Sequence, residues 1–195
     1  MSASDDIASA ASRDGFSRRA VLVALGASAL GNVWARSSPT PSEVSSEIAG
    51  ARQLGSGTLK WLGFSVYEAR LWAGTGFQAG DFDAAPFALE IEYARSIAGH
   101  SIVERSLTEM KRAGAISEPQ RARWLALMTQ AFPDVNAGDR ITGVFQPAIG
   151  TRFYFNGVLR SETRDADFAE RFFGIWLAPH TSEPELRRQL LGAAR

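Results

Sequence analysis

Apolar and polar residues alternate along two stretches of the chain, and this pattern predicts strands that bury one side. In residues 87–93 the odd-numbered positions are apolar, while Glu90 and Glu92 lie on the opposite, solvent-facing side. Residues 58–73 show the same alternation and predict a strand or a bent pair of strands, with Gly63 as a bulge.

Further strand signals follow in the C-terminal half of the chain. β-Branched and aromatic residues are enriched in residues 141–145 and 152–155. The dipeptide Asn156-Gly157 comes directly afterwards, and these two residue types tolerate the positive φ angles of a tight hairpin. These segments therefore predict additional antiparallel strands.

Apolar residues spaced three and four apart predict four helices, two after residue 100 and two after residue 164. Each predicted start carries a side chain that can cap a helix, namely Ser101, Ser117, Asp165 and Ser182. The third helix has the broadest apolar face, made by Phe168, Phe172, Ile175 and Trp176. Strands, two helices, strands and two helices in this order predict an α+β domain, in which an antiparallel sheet is covered by helices.

Composition narrows the classes of function. The 195 residues include 21 Lys and Arg and 21 Asp and Glu, so no net charge would attract nucleic acid, and no nucleic-acid partner is expected. The chain has no cysteine and two histidines, which argues against a metal site built from these residues. Residues 74–79 match a dinucleotide-binding fingerprint, but no helix is predicted directly after them, so no cofactor is expected.

The first 35 residues have the pattern of an export signal. Arg18 and Arg19 precede an apolar run at residues 20–30, which is too short to cross a bilayer, and small residues before Arg36 fit a signal peptidase site after Ala35. The paired arginines resemble a twin-arginine signal, an ordinary secretory signal is the equal alternative, and an uncleaved, surface-anchoring helix is a third. We therefore expect a periplasmic or secreted protein with no stable membrane span after signal removal.

Two further segments complete the predicted organisation. Residues 36–47 are rich in serine and proline without an apolar period, and they predict a flexible lead-in. Residues 48–195 are then predicted to form one domain, which is an ordinary size for a single core.

Several of these segments occur in an order that resembles the bacterial chalcone isomerase-like family. The segments that carry the resemblance are GSGTLKWLGFSVYEARLW, FPDVNAGDR, FNGV and FFGIWLAPHTSEPELRRQLLG. The resemblance covers the chain from near Arg52 to the C-terminus. It implies the chalcone isomerase fold, an open-faced β-sandwich whose large sheet is covered by helices.

The resemblance also implies where a site would lie. The plant enzymes of this fold use an arginine, together with threonine and tyrosine hydroxyls, to close a phenol oxygen onto an enone. The arginine corresponds to Arg52 or to Lys60, depending on the register, whereas the two hydroxyl positions fall on Leu62 and Ile102. A polar position of the helix that contains FFGIWL falls near Arg171. The lost hydroxyls count against isomerase activity.

A binding protein is the function that this sequence favours. The predicted ligand is a small amphipathic or aromatic molecule, such as a fatty acid, in an apolar cleft with one cation for the acid group. Arg95 follows a half-buried strand and could place such a cation in the cleft. The full set of candidate binding residues is Arg52, Lys60, Tyr67, Tyr93, Arg95 and Arg171. The alternatives are an isomerase acting on an aromatic enone, and a structural protein whose own side chains fill the cleft.

Overall fold

Six strands form one antiparallel sheet in a computed structural model, which describes residues 39–192. The predicted export signal at residues 1–35 lies outside the described residues. The strands are β1 (Arg52–Trp61), β2 (Phe64–Ala73), β3 (Phe87–Tyr93), β4 (Arg140–Gln146), β5 (Gly150–Phe155) and β6 (Val158–Thr163). Each strand pairs with the one before it in the sequence, so the sheet is a simple meander.

Five α-helices accompany the sheet in the described part of the chain. They are α1 (Ser42–Glu47), α2 (Gly99–Met110), α3 (Glu118–Ala131), α4 (Ala166–Leu177) and α5 (Pro184–Leu190). Helices α2 to α5 supply one hydrophobic core with the same face of the sheet, and this arrangement confirms the predicted α+β class.

Tight turns join β1 to β2 and β5 to β6 at one end of the sheet. Asn156 and Gly157 have φ angles of 48° and 82°, which confirms the predicted hairpin. Leu62 and Gly63 have φ angles of 50° and 84°, so they form the turn between β1 and β2. The prediction that Gly63 is a bulge is therefore wrong, because the chain reverses there and two full strands result.

Aromatic side chains dominate the core between the sheet and the helices. Phe168 and Phe172 of α4 are buried, as their helical spacing predicts. The ring centroids of Phe87 on β3 and Phe173 on α4 are 4.7 Å apart in an edge-to-face arrangement. Such pairs add to the stabilisation that burial of their area provides.

Two of the four predicted helix starts are confirmed. Ser117 forms a capping box with Gln120, and the Asp165 carboxylate accepts a hydrogen bond from the Phe168 amide at 3.0 Å. By contrast, α2 begins at Gly99, before Ser101, and its first amide donates to Asp134 at 2.8 Å. Ser182 makes no cap either, because α5 begins at Pro184. The carboxylate of Asp134, which is distant in the sequence, thus caps the start of α2 in place of the predicted Ser101.

Helix α1 covers part of the other face of the sheet, which changes two predictions. Its Val44 is buried against Trp72 and Val144, so residues 42–47 are a packed helix rather than a flexible lead-in. The folded part of the chain thus begins before residue 48. Glu90 is also buried, although the sequence predicts it on a solvent-facing side. Its carboxylate accepts hydrogen bonds from Arg70 at 3.1 Å and from Trp72 at 2.7 Å.

Candidate ligand cavity

An apolar cavity of about 190 Å³ lies between one end of the sheet and helices α2 and α4. The sheet contributes Leu59, Val66, Tyr67, Ile91, Tyr93 and Ile141 to its wall. The helices contribute Ile102, Phe172, Ile175 and Trp176, and Phe132 follows α3. These side chains leave the cavity unfilled, and its wall is suited to contact with an apolar molecule.

A β-bulge in the first hairpin shapes the wall. Leu59 pairs with Tyr67 and Lys60 pairs with Ser65, so Val66 has no partner of its own in β1. An extra residue of this kind interrupts the strict alternation of a strand. Consecutive residues Val66 and Tyr67 consequently both line the cavity.

Two tyrosines are among the polar residues of the wall, which also include Ser101, Ser106 and Ser182. Tyr67 and Tyr93 are cross-strand partners, with ring centroids 6.2 Å apart in an edge arrangement. The Tyr67 oxygen accepts a hydrogen bond from the Trp176 ring nitrogen at 2.9 Å, which leaves its own proton available. The Tyr93 hydroxyl makes no hydrogen bond within residues 39–192.

Burial keeps both hydroxyls protonated. It raises the pKa of Tyr67 and the pKa of Tyr93 well above the usual range, since a phenolate would lose its hydration. Both groups can therefore donate hydrogen bonds to a ligand at any physiological pH. They cannot serve as general bases near neutral pH.

Three charged residues lie at the edge of the cavity. Arg105 of α2 pairs with Glu109 one turn later, at 2.7 Å between nitrogen and oxygen. The Glu109 side chain is only 9% exposed, and its second oxygen has no hydrogen-bond partner in the described chain. Glu183 also lines the cavity. The edge thus carries one positive and two negative side chains.

The structure separates the six candidate residues. Tyr67 and Tyr93 line the cavity, whereas the four cations are not among its lining residues. Arg52 pairs with Ala73 at the opposite end of the hairpin, and Lys60 and Arg95 are exposed. Of the two positions that the resemblance assigns to lost hydroxyls, Ile102 lies in the cavity wall and Leu62 lies in the exposed turn.

Arg171 takes part in a separate, structural set of contacts. Its side chain pairs with Asp167 at 2.7 Å and donates to the carbonyl of Gly114 at 3.1 Å. Its guanidinium also lies 5.9 Å from the centroid of the Trp124 ring. These contacts tie α4 to the segments around α3 and leave Arg171 outside the cavity.

The cation of the cavity is Arg105, which the sequence analysis does not identify. A signal for it is present, because Ile102, Arg105, Ser106 and Glu109 recur at intervals of three and four residues. This spacing places them on one face of α2, and all of them line the cavity. Without the position of α2 over the sheet, that face could equally have been solvent-exposed.

Two features are absent from residues 39–192. No three His, Asp or Glu side chains of this part come together in a way that could hold a metal ion. None of its helices combines the length and the apolar composition needed to cross a bilayer.

The meander sheet, with helices α2 to α5 on one face and an apolar cavity at one end, agrees with the fold that the resemblance implies. The family model described as chalcone isomerase-like matches residues 53–192, so the chain belongs to this family. It is also similar to an uncharacterized protein of Haemophilus influenzae. These two sequences are 29% identical over 143 residues, which is 73% of this chain and 68% of the relative.

Among solved structures, the fold is similar to the crystal structure of a fatty-acid binding protein from Arabidopsis thaliana. The TM-score is 0.56, with 73% of this chain and 87% of the plant chain covered. Sequence identity between the two is 11%, so the likeness shows a shared fold.

Proposed function

We propose that this protein binds a single-chain amphipathic lipid, of the fatty-acid class, without transforming it. The observation that carries the proposal is the apolar cavity with two protonated tyrosine hydroxyls and one arginine at its polar side. Family membership and the fold likeness to a fatty-acid binding protein support it. The alkyl chain would occupy the apolar wall, and the carboxylate would lie near Tyr67, Tyr93 and Arg105.

The hydroxyls suit a carboxylate because they can only act as donors toward it. Hydrogen bonds to a charged acceptor are stronger than those between neutral groups. Tyr67 is held in place by Trp176, so it would lose little freedom on binding. Arg105 is at the edge of the cavity and would supply the charge.

Glu109 sets a limit on this affinity. Its carboxylate already pairs with Arg105, and a bound acid would have to share that guanidinium with it. Glu183 adds a second negative charge at the same edge. The proposal therefore implies that Glu109→Gln strengthens the binding of a carboxylate, whereas it leaves the binding of the corresponding alcohol nearly unchanged.

Displacement of a fluorescent fatty acid tests the proposal, with two arginines as a matched pair. Arg105 and Arg171 each pair with an acidic residue one turn away, but only Arg105 lines the cavity. Arg105→Gln should weaken laurate binding by about tenfold to a hundredfold, because a hydrogen bond to a charged group contributes about 1.5–3 kcal/mol. Arg171→Gln should leave the laurate affinity as it is.

Tyr93→Phe tests the hydroxyl independently of charge, since it removes one donor and keeps the ring. It should weaken the binding of both laurate and lauryl alcohol, and that of laurate more, because a hydrogen bond to a charged acceptor is the stronger one. Equal loss of affinity in the two arginine variants would contradict the assigned site. Absence of binding in the unmodified protein would contradict the function.

An isomerase acting on an aromatic enone is the second candidate, and the hydroxyl pair is the observation that favours it. Two donors and an arginine could stabilise the negative charge that develops on an enone oxygen. Following chalcone absorbance with the same preparation distinguishes the two functions. Cyclisation that is lost in Tyr93→Phe would make this protein an enzyme.

We also propose that the protein acts outside the cytoplasm, on the basis of the signal-like pattern in residues 1–35. N-terminal sequencing of the protein recovered from its host tests this. A chain that begins at or near Arg36 is the expected result, and retention of residues 20–30 would contradict it. Replacing Arg18 and Arg19 by lysine should block export if the twin-arginine route is used.

A further inference from the structure

Three large apolar side chains are exposed together at the tip of the β1–β2 hairpin. Trp61 is 65% exposed, Leu62 is 81% exposed and Phe64 is 70% exposed. Single exposed apolar residues are common, but a cluster of this size marks a surface for interaction. We call these three residues the hairpin tip.

The hairpin tip extends beyond the rest of the sheet. Strand β2 is in register with β3 only from Tyr67 onward, and the last bond between them runs from the Ala94 amide to the Val66 carbonyl. The turn at Gly63 is three residues further on. At about 3.3 Å per residue, the tip projects about 10 Å past the neighbouring strand.

The backbone conformation of the turn indicates that Leu62 does not stabilise the fold. Leu62-Gly63 and Asn156-Gly157 adopt nearly the same φ angles, 50° and 84° against 48° and 82°. Asparagine tolerates this left-handed conformation, whereas leucine is disfavoured in it. The same turn conformation therefore occurs twice in this sheet. Its first residue is the favourable Asn156 in one hairpin and the exposed Leu62 in the other.

The charged residue nearest the hairpin tip in the sequence is positive. No Asp or Glu occurs between Gln53 and Tyr67. Lys60 precedes the tip, and Arg95 follows Ala94 at the base of the hairpin. Both cations are exposed, and neither forms an ion pair within residues 39–192.

We propose that the hairpin tip inserts into the interfacial region of a bilayer that contains anionic phospholipids. Tryptophan favours this region because its ring is apolar and its N–H can still reach polar groups. Leu62 and Phe64 enter the acyl boundary, and Lys60 and Arg95 meet the phosphate groups.

The docked hairpin also forms part of the cavity wall. Leu59, Val66 and Tyr67 line the cavity a few residues from the tip. A bilayer contacted by Trp61 and Phe64 therefore lies beside the cavity. Docking stands apart from the function proposed above, because it requires no ligand in the cavity.

Co-sedimentation with vesicles tests this surface in the ligand-free protein. The full chain is incubated with vesicles of phosphatidylcholine, with or without phosphatidylglycerol, and the bound fraction is measured against lipid concentration. All variants carry the same N-terminal segment, so differences between them report on the hairpin. Leu62→Asn is the central variant, since it should stabilise the turn while it removes an apolar side chain.

Leu62→Asn combined with Trp61→Ser should weaken vesicle binding by about tenfold or more, because two large apolar side chains no longer leave water. Lys60→Gln with Arg95→Gln should abolish the preference for phosphatidylglycerol. Val158→Ser is the matched control, because Val158 is also 65% exposed and follows the turn at the other edge of the sheet. It should bind vesicles as the unmodified protein does.

Two results would overturn the proposal. Vesicle binding that is unchanged in Leu62→Asn with Trp61→Ser would exclude the hairpin tip. Concentration-dependent dimerisation that this variant abolishes, without vesicle binding by the unmodified protein, would show that the tip contacts a second copy of the chain. Laurate binding is measured in parallel, and its loss in the tip variant would indicate damage to the cavity rather than to docking.

Discussion

Tyr67 and Tyr93 belong to the core and to the cavity at once. Their rings pack against each other across β2 and β3, and both residues line the cavity. Tyr67 is oriented by Trp176, whereas no described residue bonds the Tyr93 hydroxyl. The Tyr93 hydroxyl therefore remains free to donate to a ligand in the cavity.

The raised tyrosine pKa values make stability fall in alkaline solution. In the unfolded chain a tyrosine ionises near pH 10, whereas burial raises the pKa of Tyr93 above this value. Above about pH 10 the unfolded state therefore releases protons that the folded state keeps, and unfolding becomes easier. Below that pH the contribution of Tyr93 to stability is constant.

We expect Tyr93→Phe to reduce this alkaline loss. In urea titrations between about pH 9 and pH 11, the unfolding free energy of the unmodified protein should fall more steeply, by up to about 1.4 kcal/mol per pH unit for this one group. Ile91→Val is the control, because it removes a buried methyl group from the same strand and leaves both tyrosines in place. Parallel pH curves for Tyr93→Phe and the unmodified protein would contradict the prediction.

At the scale of elements, two glycines explain the close contact between β1 and α5. A Cβ atom on Gly55 would lie 2.0 Å from the carbonyl oxygen of Gln189 and 2.6 Å from that of Leu190. A Cβ on Gly57 would lie 2.7 Å from the Leu186 side chain. The helix therefore rests on the strand at positions without side chains. The GSG motif that supports the family resemblance has a packing role here.

Gly55→Ala should consequently displace α5. We expect a loss of about 1–3 kcal/mol in the free energy of unfolding, because the clash is with backbone atoms that cannot rotate away. Gly80→Ala is the matched control, since a Cβ there meets nothing within 4 Å. Urea denaturation of the two variants gives the comparison. Equal stability in both would mean that α5 does not contact β1 in solution as described.

The sequence predicts the longer elements well and the short ones poorly. Strand β3 and helix α4 have clear periods, and the structure confirms both. Helix α1 has six residues and no apolar period, and it is held by tertiary contacts that a sequence does not reveal. Among them, the buried Glu43 carboxylate accepts hydrogen bonds from Arg140 at 2.9 Å and from Thr142 at 2.8 Å.

In the candidate site, too, the sequence predicts what depends on local pattern and misses what depends on tertiary contacts. The alternation of β3 places Tyr93 on the buried face, so its place in the wall is predictable. Which cation lines the cavity is not predictable from the sequence, because this depends on where α2 crosses the sheet. Lys60 directly follows the lining residue Leu59, and Arg95 comes two residues after the lining residue Tyr93, yet both cations are exposed and neither lines the cavity.

At the scale of the whole molecule, the cavity limits the size of the ligand. Its volume of about 190 Å³ is smaller than the roughly 300–1,000 Å³ of typical small-molecule sites. A medium-length alkyl chain would be enclosed, whereas a longer chain would extend past the wall. Each methylene that still enters the cavity adds up to about 0.8 kcal/mol, and those left outside add little.

Affinity should therefore rise from octanoate to laurate and level off at palmitate, and Phe132→Ala should move this limit. Phe132 is buried and lines the cavity, so its removal makes room for further methylenes. Phe145→Ala is the matched control, because Phe145 is buried in the same core but is not among the lining residues. Each truncation should cost about 3–5 kcal/mol of stability, yet only Phe132→Ala should make palmitate bind more tightly than laurate. Calorimetric titration of the three acids into both variants measures this, and the same chain-length profile in both would show that the chain lies elsewhere.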